Sequence, residues 1–172
     1  NPDAPRALFA ILWRSNDPAV REAAMDGLFA KPLGDPSLQI IAEYLKAKKP
    51  GERDRYARVF AAAGLSALLT DDEFSSGFAV LRDGSSEPEL IPILLQRAPP
   101  RVVFEVLDAS GNKLRAPEYL DLLKHPSKEV RLEALKRLRN FNDATMFALV
   151  RQMYEDERDG DVRREYEAFL SS

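Results

Sequence analysis

The 172-residue sequence contains no cysteine. That excludes disulfides, thiolate nucleophiles and cysteine-based zinc sites. It leaves the redox compartment open, because a cysteine-free chain suits an oxidising or a reducing milieu. Histidine and tryptophan are nearly as scarce, with His125 and Trp13 the only ones. No Gly-x-Ser-x-Gly elbow, phosphate-binding loop or His-Glu-x-x-His pattern occurs, so the common routes to acyl transfer, phosphoryl transfer and zinc hydrolysis have no visible motif. Long apolar runs are missing too. The longest nearly apolar stretch, residues 59–69, is interrupted by Gly64 and Ser66, far short of the roughly 20 residues a membrane-spanning helix needs. Net positive charge is also lacking. A formal charge of −3 and a pI near 5.4 provide no overall field for nucleic acid or an anionic membrane.

What is present is material for a folded domain. Hydrophobic residues make up 45% and charged residues 31%, a globular balance, and the length suffices for one core. With Asn1 where a starting Met would stand, the sequence reads as a processed form or as part of a larger chain. The compartment is not indicated.

Helix punctuation recurs along the chain. Residues 1–5 read as a frayed lead-in, and a first helix is expected over 5–14. Asp17-Pro18 and Asp35-Pro36 each combine a capping side chain with a proline suited to the first helical position. The helix after Asp17 is expected to turn Val20, Ala23, Ala24 and Leu28 inward, and the next one Leu38, Ile41, Ala42 and Leu45. A single helix from Glu52 would carry Tyr56, Val59, Phe60 and Ala63. Thr70 with Glu73, and Ser86 with Glu89, spell capping boxes. They precede helices with Phe74, Phe78 and Leu81, and with Leu90, Ile93 and Leu94, on the inner side. Pro99-Pro100 breaks the chain, a short helix follows, and residues 108–115 read as a polar loop before a restart at Ala116-Pro117.

The strongest pattern is repetition. Residues 119–135 form an apolar helix, a polar break, then a helix opening with Val130-Arg131, and residues 146–166 repeat the phrase with Val162-Arg163. The two valines lie 32 residues apart. Asp17-Pro18-Ala19-Val20-Arg21 is an earlier instance. Taking Val20, Tyr56, Leu90, Val130 and Val162 as the first inward residues of successive second helices gives spacings of 36, 34, 40 and 32. A period of that size with two helices per period signals an α-solenoid.

This phrase resembles the HEAT-repeat family in its short, bacterial, PBS-lyase-type form. The resemblance implies an all-α, right-handed solenoid of about five helical hairpins, near 5–30, 35–64, 71–98, 100–140 with an inserted loop at 108–116, and 142–171. It implies that Arg21, Arg131 and Arg163 join a structural ladder with acids of the neighbouring unit, while units two and three carry Ala57 and Ile91 at the matching place. It further implies a non-catalytic scaffold that binds protein. Other branches of the family bind nucleic acid, assist bilin attachment or excise alkylated bases, and fold does not choose among them. A nucleic-acid-binding domain is the alternative reading, and a base-excision enzyme is disfavoured by the acidic balance.

For individual residues, His125 reads as a turn residue whose replacement leaves folding nearly unchanged. Trp13 reads as closing the end of the core or as packing against whatever precedes the sequence. The acidic run 155–161 reads as a solvated loop that caps the last helix, not as a cation site. No metal or cofactor is expected. Residues 113–139 hold eight basic against four acidic side chains, whereas residues 71–89 hold six acids against Arg82. Lys113 and Arg115 in the inserted loop, with Lys128, Lys136 and Arg139 on the following helix, are therefore expected to form one contact with an acidic protein partner.

Overall fold

The computed structural model describes residues 3–84, 86–141 and 143–171, and all regular structure among them is helical. The helices are α1 (Asp3–Arg14), α2 (Pro18–Phe29), α3 (Pro36–Lys46), α4 (Pro50–Asp54), α5 (Ala57–Gly64) and α6 (Asp71–Gly77), followed by α7 (Leu90–Leu95), α8 (Pro100–Ser110), α9 (Ala116–Leu122), α10 (Lys128–Leu138), α11 (Ala144–Tyr154) and α12 (Gly160–Leu170). Short 3₁₀ segments cover Ala79–Arg82 and Gly111–Lys113. No helix among the described residues is long and apolar enough to cross a membrane.

Caps explain most starts. The Asp17 carboxylate accepts from the Ala19 amide, and that of Asp35 accepts from the Ser37 and Leu38 amides. Thr70 and Glu73 form the full reciprocal box. These bonds satisfy amides that have no partner within the helix.

Packing is local along the chain. Helix α1 lies against α2 and α5, α3 against α2, α5 and α7, and α7 against α9. Further on, α10 contacts α8, α9 and α12. A single apolar core runs from Phe9 in α1 to Phe169 in α12.

Several sequence expectations change here. The helix expected from Glu52 is broken at Tyr56, whose φ of −96° and ψ of 6° are not helical. Segment α4 packs on α2 while α5 packs on α1, and one straight helix cannot serve both. The lead-in expected over 1–5 is helical from Asp3, and residues 1–2 lie outside the described residues. Val20 is 41% exposed. The inner stripe of α2 is Ala24, Met25 and Leu28, and Ala23, expected to face inward, is exposed as well. Ser86 does not cap α7. Its buried hydroxyl donates to the Val80 carbonyl at 3.0 Å, and Glu89 makes no capping bond. The polar loop expected at 108–116 is largely helical: α8 continues to Ser110 and a 3₁₀ turn follows. Val106 and Leu107 of α8 and Leu114 just after the 3₁₀ turn reach the core, and the Ser110 hydroxyl donates to the Leu81 carbonyl at 2.6 Å.

Trp13 does not close an end of the core. A Cβ on Gly77 would lie 2.7 Å from its ring, so the indole fills the seam between α1 and α6, with the Arg58 guanidinium 4.5 Å above the ring. Gly64 plays a similar part. A Cβ there would sit 2.5 Å from the Phe9 ring, which is buried edge-on against Phe60. Gly64→Ala is therefore expected to cost about 1–3 kcal/mol in urea melts, since overpacking outweighs the gain in helix propensity. Stability equal to or above that of the wild type would show that the Phe9 ring can move aside.

Candidate functional site

Three arginines share one register. Arg21, Arg131 and Arg163 each donate from Nη1 to the carbonyl six residues earlier: Ser15 at 3.2 Å, His125 at 3.0 Å and Glu157 at 2.8 Å. Each thereby ties its helix to the turn that precedes it. Arg21 also forks Asp54, with Nε–Oδ1 at 2.8 Å and Nη2–Oδ2 at 2.9 Å. Arg131 likewise forks Glu157 at 2.7 and 3.2 Å. Two parallel charge-assisted bonds of this kind fix orientation as well as distance. Among the described residues, Arg163 has no acid in such a fork. Its guanidinium stacks 4.2 Å from the centroid of the Tyr154 ring.

Further arginines make comparable bridges that the sequence reading missed. Arg53 donates to Glu22, reciprocating the Arg21–Asp54 fork across the α2–α4 seam. Arg82 joins the Ser75 carbonyl at 2.7 Å to Glu105 at 3.1 Å. Arg97 reaches Asp35 at 2.7 Å. A signal did exist: Arg21-Glu22 and Arg53-Asp54 lie 32 residues apart, the same period as Val130 and Val162.

Glu157 corrects the reading of the acidic run 155–161. It is buried and accepts from Arg131 and from the Arg158 amide, because the fork draws it under the turn. Asp159 does cap α12, accepting from the Asp161 and Val162 amides, and the Val162 amide holds its carboxyl below the usual range. Among the described residues, no group of three His, Asp or Glu side chains is placed to hold a metal ion.

His125 is not a free turn residue. It is buried, with Nδ1 accepting from the Ser127 amide at 2.9 Å and Nε2 3.0 Å from the Ala98 carbonyl. The first bond assigns the proton to Nε2. Burial pushes the imidazole pKa down. His125 is therefore not dispensable for folding: a turn residue that bridges two breaks of the chain has structural bonds to lose.

Two open grooves of about 560 Å³ each flank His125-Pro126. One has Leu69, Phe74, Pro99 and Pro100 along it, with Arg97 committed to Asp35. The other contains the Arg131–Glu157 fork with Met153 and Tyr166, and exposed Lys124 and Arg158 at its edge. A smaller groove of about 270 Å³ opens at the Arg21–Asp54 fork, where Ser15 and Asn16 stand as His125 and Pro126 do.

The five basic residues expected to make one contact are dispersed. Arg115 lies 2.9 Å from Glu118 and 3.8 Å from Glu89, facing the segment before α7. Lys128 is 3.7 Å from both Asp159 and Asp161, and Arg139 is 3.1 Å from Glu165, so both face α12. Lys113 sits in the 3₁₀ turn near Gly84. Lys136 is exposed and makes no ion pair among the described residues. Counting charge along the sequence overstated the field, because the neutralising acids lie in neighbouring helices. In comparison with known proteins, the chain matches no family model, no curated protein and no solved structure.

Proposed function

We propose that the chain is a right-handed stack of HEAT-like helical hairpins acting as a non-catalytic protein-interaction scaffold, and that it receives an extended segment of a partner protein along the grooves beside His125-Pro126. The observation that carries this reading is the pair of open grooves whose inner arginines are already committed, leaving charge only at the rims, on Asp71, Lys124, Asp156 and Arg158. Arg97 is held by Asp35, and Arg131 by Glu157 and two carbonyls. Inside the grooves, what remains free to bind is proline, apolar surface and peptide groups, which suits recognition of a chain more than bond making. The repeated arginine register supports the hairpin-stack part of the proposal.

The nucleic-acid alternative needs free cations along one face. Arg115, Lys128, Arg137 and Arg139 each meet a carboxylate, which favours a protein partner.

Peptides selected from a random library on the wild-type protein supply the test. Leu69→Arg in the first groove, or Arg158→Glu in the second, should weaken the selected binders about tenfold or more, equivalent to about 1.4 kcal/mol, with the circular dichroism unchanged. Equal binding to both variants would reject the groove. Loss on reversing Lys136 and Arg139 instead would return the contact to the basic helix. Tight duplex binding that collapses with salt would favour the nucleic-acid reading.

A further inference from the structure

We infer that His125 is a protonation-sensitive latch: charging its ring releases the turn at 124–127 and joins the two grooves that this turn separates. The inference rests on four geometric facts. The ring is buried where three breaks of the chain meet. Its Nε2–H donates to the Ala98 carbonyl in the break before α8, and its Nδ1 accepts from the Ser127 amide in its own turn. Its backbone carbonyl accepts from Arg131, which forks Glu157 in the break before α12. His125 and Pro126 also line both grooves, so the residue that holds the turn is the residue that partitions the space.

A second proton has no place in this arrangement. It would sit on Nδ1, where the Ser127 N–H already points from 2.9 Å, turning an acceptor into a donor facing a donor. The charged groups around the ring give it no compensating partner. Across the first groove Asp71 of α6 is exposed at the surface, and Arg97 is engaged with Asp35. In the turn itself Lys124 is a further cation. From α10 comes Arg131, which disfavours a charged imidazole. From the break before α12, Glu157 is spent on Arg131, and Asp156 and Arg158 are exposed. Tyr166 of α12 contributes a buried phenol whose pKa burial pushes up to about 12, neutral throughout this range. Only the carbonyls of Ala98 and Leu95 favour the cation, and burial outweighs them.

The direction with pH follows from linkage. In the unfolded chain the imidazole takes up its proton near its ordinary value of 6.5, and in the folded chain only below that value. Between the two values the unfolded or locally open form binds more protons. The closed turn therefore has its full stability above about 6.5 and loses it as pH falls.

The experiment combines two measurements on the whole chain. Nitrogen NMR of the imidazole should show the Nε2–H form at pH 7.5 and a titration midpoint below 6.5. Native-state amide exchange, corrected for intrinsic rates, should show the protection of the Ser127 amide falling about tenfold per pH unit below 6.5, as expected for one proton coupled to one opening. Protection of the Phe60 amide in α5 should stay constant. In His125→Asn, a side-chain oxygen can still accept from the amide two residues on but does not titrate, so Ser127 protection should be the same at pH 7.5 and 5. A ring titrating near 6.5 with the turn unchanged would overturn the latch. So would parallel loss of Ser127 and Phe60 protection, which is global unfolding, or persistence of the pH effect in His125→Asn. Should His125→Asn fail to fold, the wild-type titration and exchange decide alone.

Discussion

Val130→Asp is expected to remove a large part of the chain's stability. Val130 is completely buried in the first turn of α10, a helix packed on α8, α9 and α12. An aspartate there would lose the valine's packing and bring a charge with no partner. The adjacent Arg131 cannot serve, because its donors are already taken by Glu157 and by the carbonyls of His125 and Pro126. The carboxyl would stay protonated or the site would open, and either route costs about 4 kcal/mol or more. Whole domains of this size are stable by only about 5–15 kcal/mol. Urea melts followed by circular dichroism at 222 nm measure the loss, with Val130→Ala expected between the two. A melt like that of the wild type would mean that α10 does not pack as described.

Arg131→Ala has the second largest expected effect. The substitution leaves the Glu157 carboxylate, whose side chain is only 5% exposed, without its cation, and two turn carbonyls lose a donor. Breaking a buried pair from one side costs about 3–5 kcal/mol. The lower end applies here, because Arg131 keeps 18% of its side-chain surface and water screens part of the interaction. Glu157→Gln should cost less, since a neutral amide oxygen still accepts. Arg131→Met combined with Glu157→Leu should recover much of the loss, because no charge is then left buried. The exposed Arg164–Asp161 pair is the internal control, and Arg164→Ala should change stability by under about 1 kcal/mol. If Arg131→Ala melts like that control, the arginine register is not what couples the turns.

The helices, their caps and their period were legible in the sequence because each depends on residues a few positions apart. Asp17, Asp35, Thr70 and Asp159 cap as their local patterns predict. Phe74, Phe78, Leu81, Val130 and Val162 are buried as helical spacing requires. An Asp two residues before an amide, or an apolar residue every third or fourth place, carries the same meaning wherever the chain folds.

The tertiary structure decided the rest. Val20 and Val130 open similar phrases, yet one is exposed and the other buried, because burial is set by what covers a side chain. The break at Tyr56 follows from two packing partners that pull α4 and α5 apart. His125, which reads as an ordinary turn residue, became a bridge because Ala98, 27 positions earlier, lies beside it. Arg97 found Asp35 across 62 positions, and Arg131 found Glu157 across 26. The basic stretch at 113–139 lost its apparent field for the same reason. Sequence position specifies which charges exist, but an ion pair depends on distance in space, and that distance is set only when neighbouring helices pack.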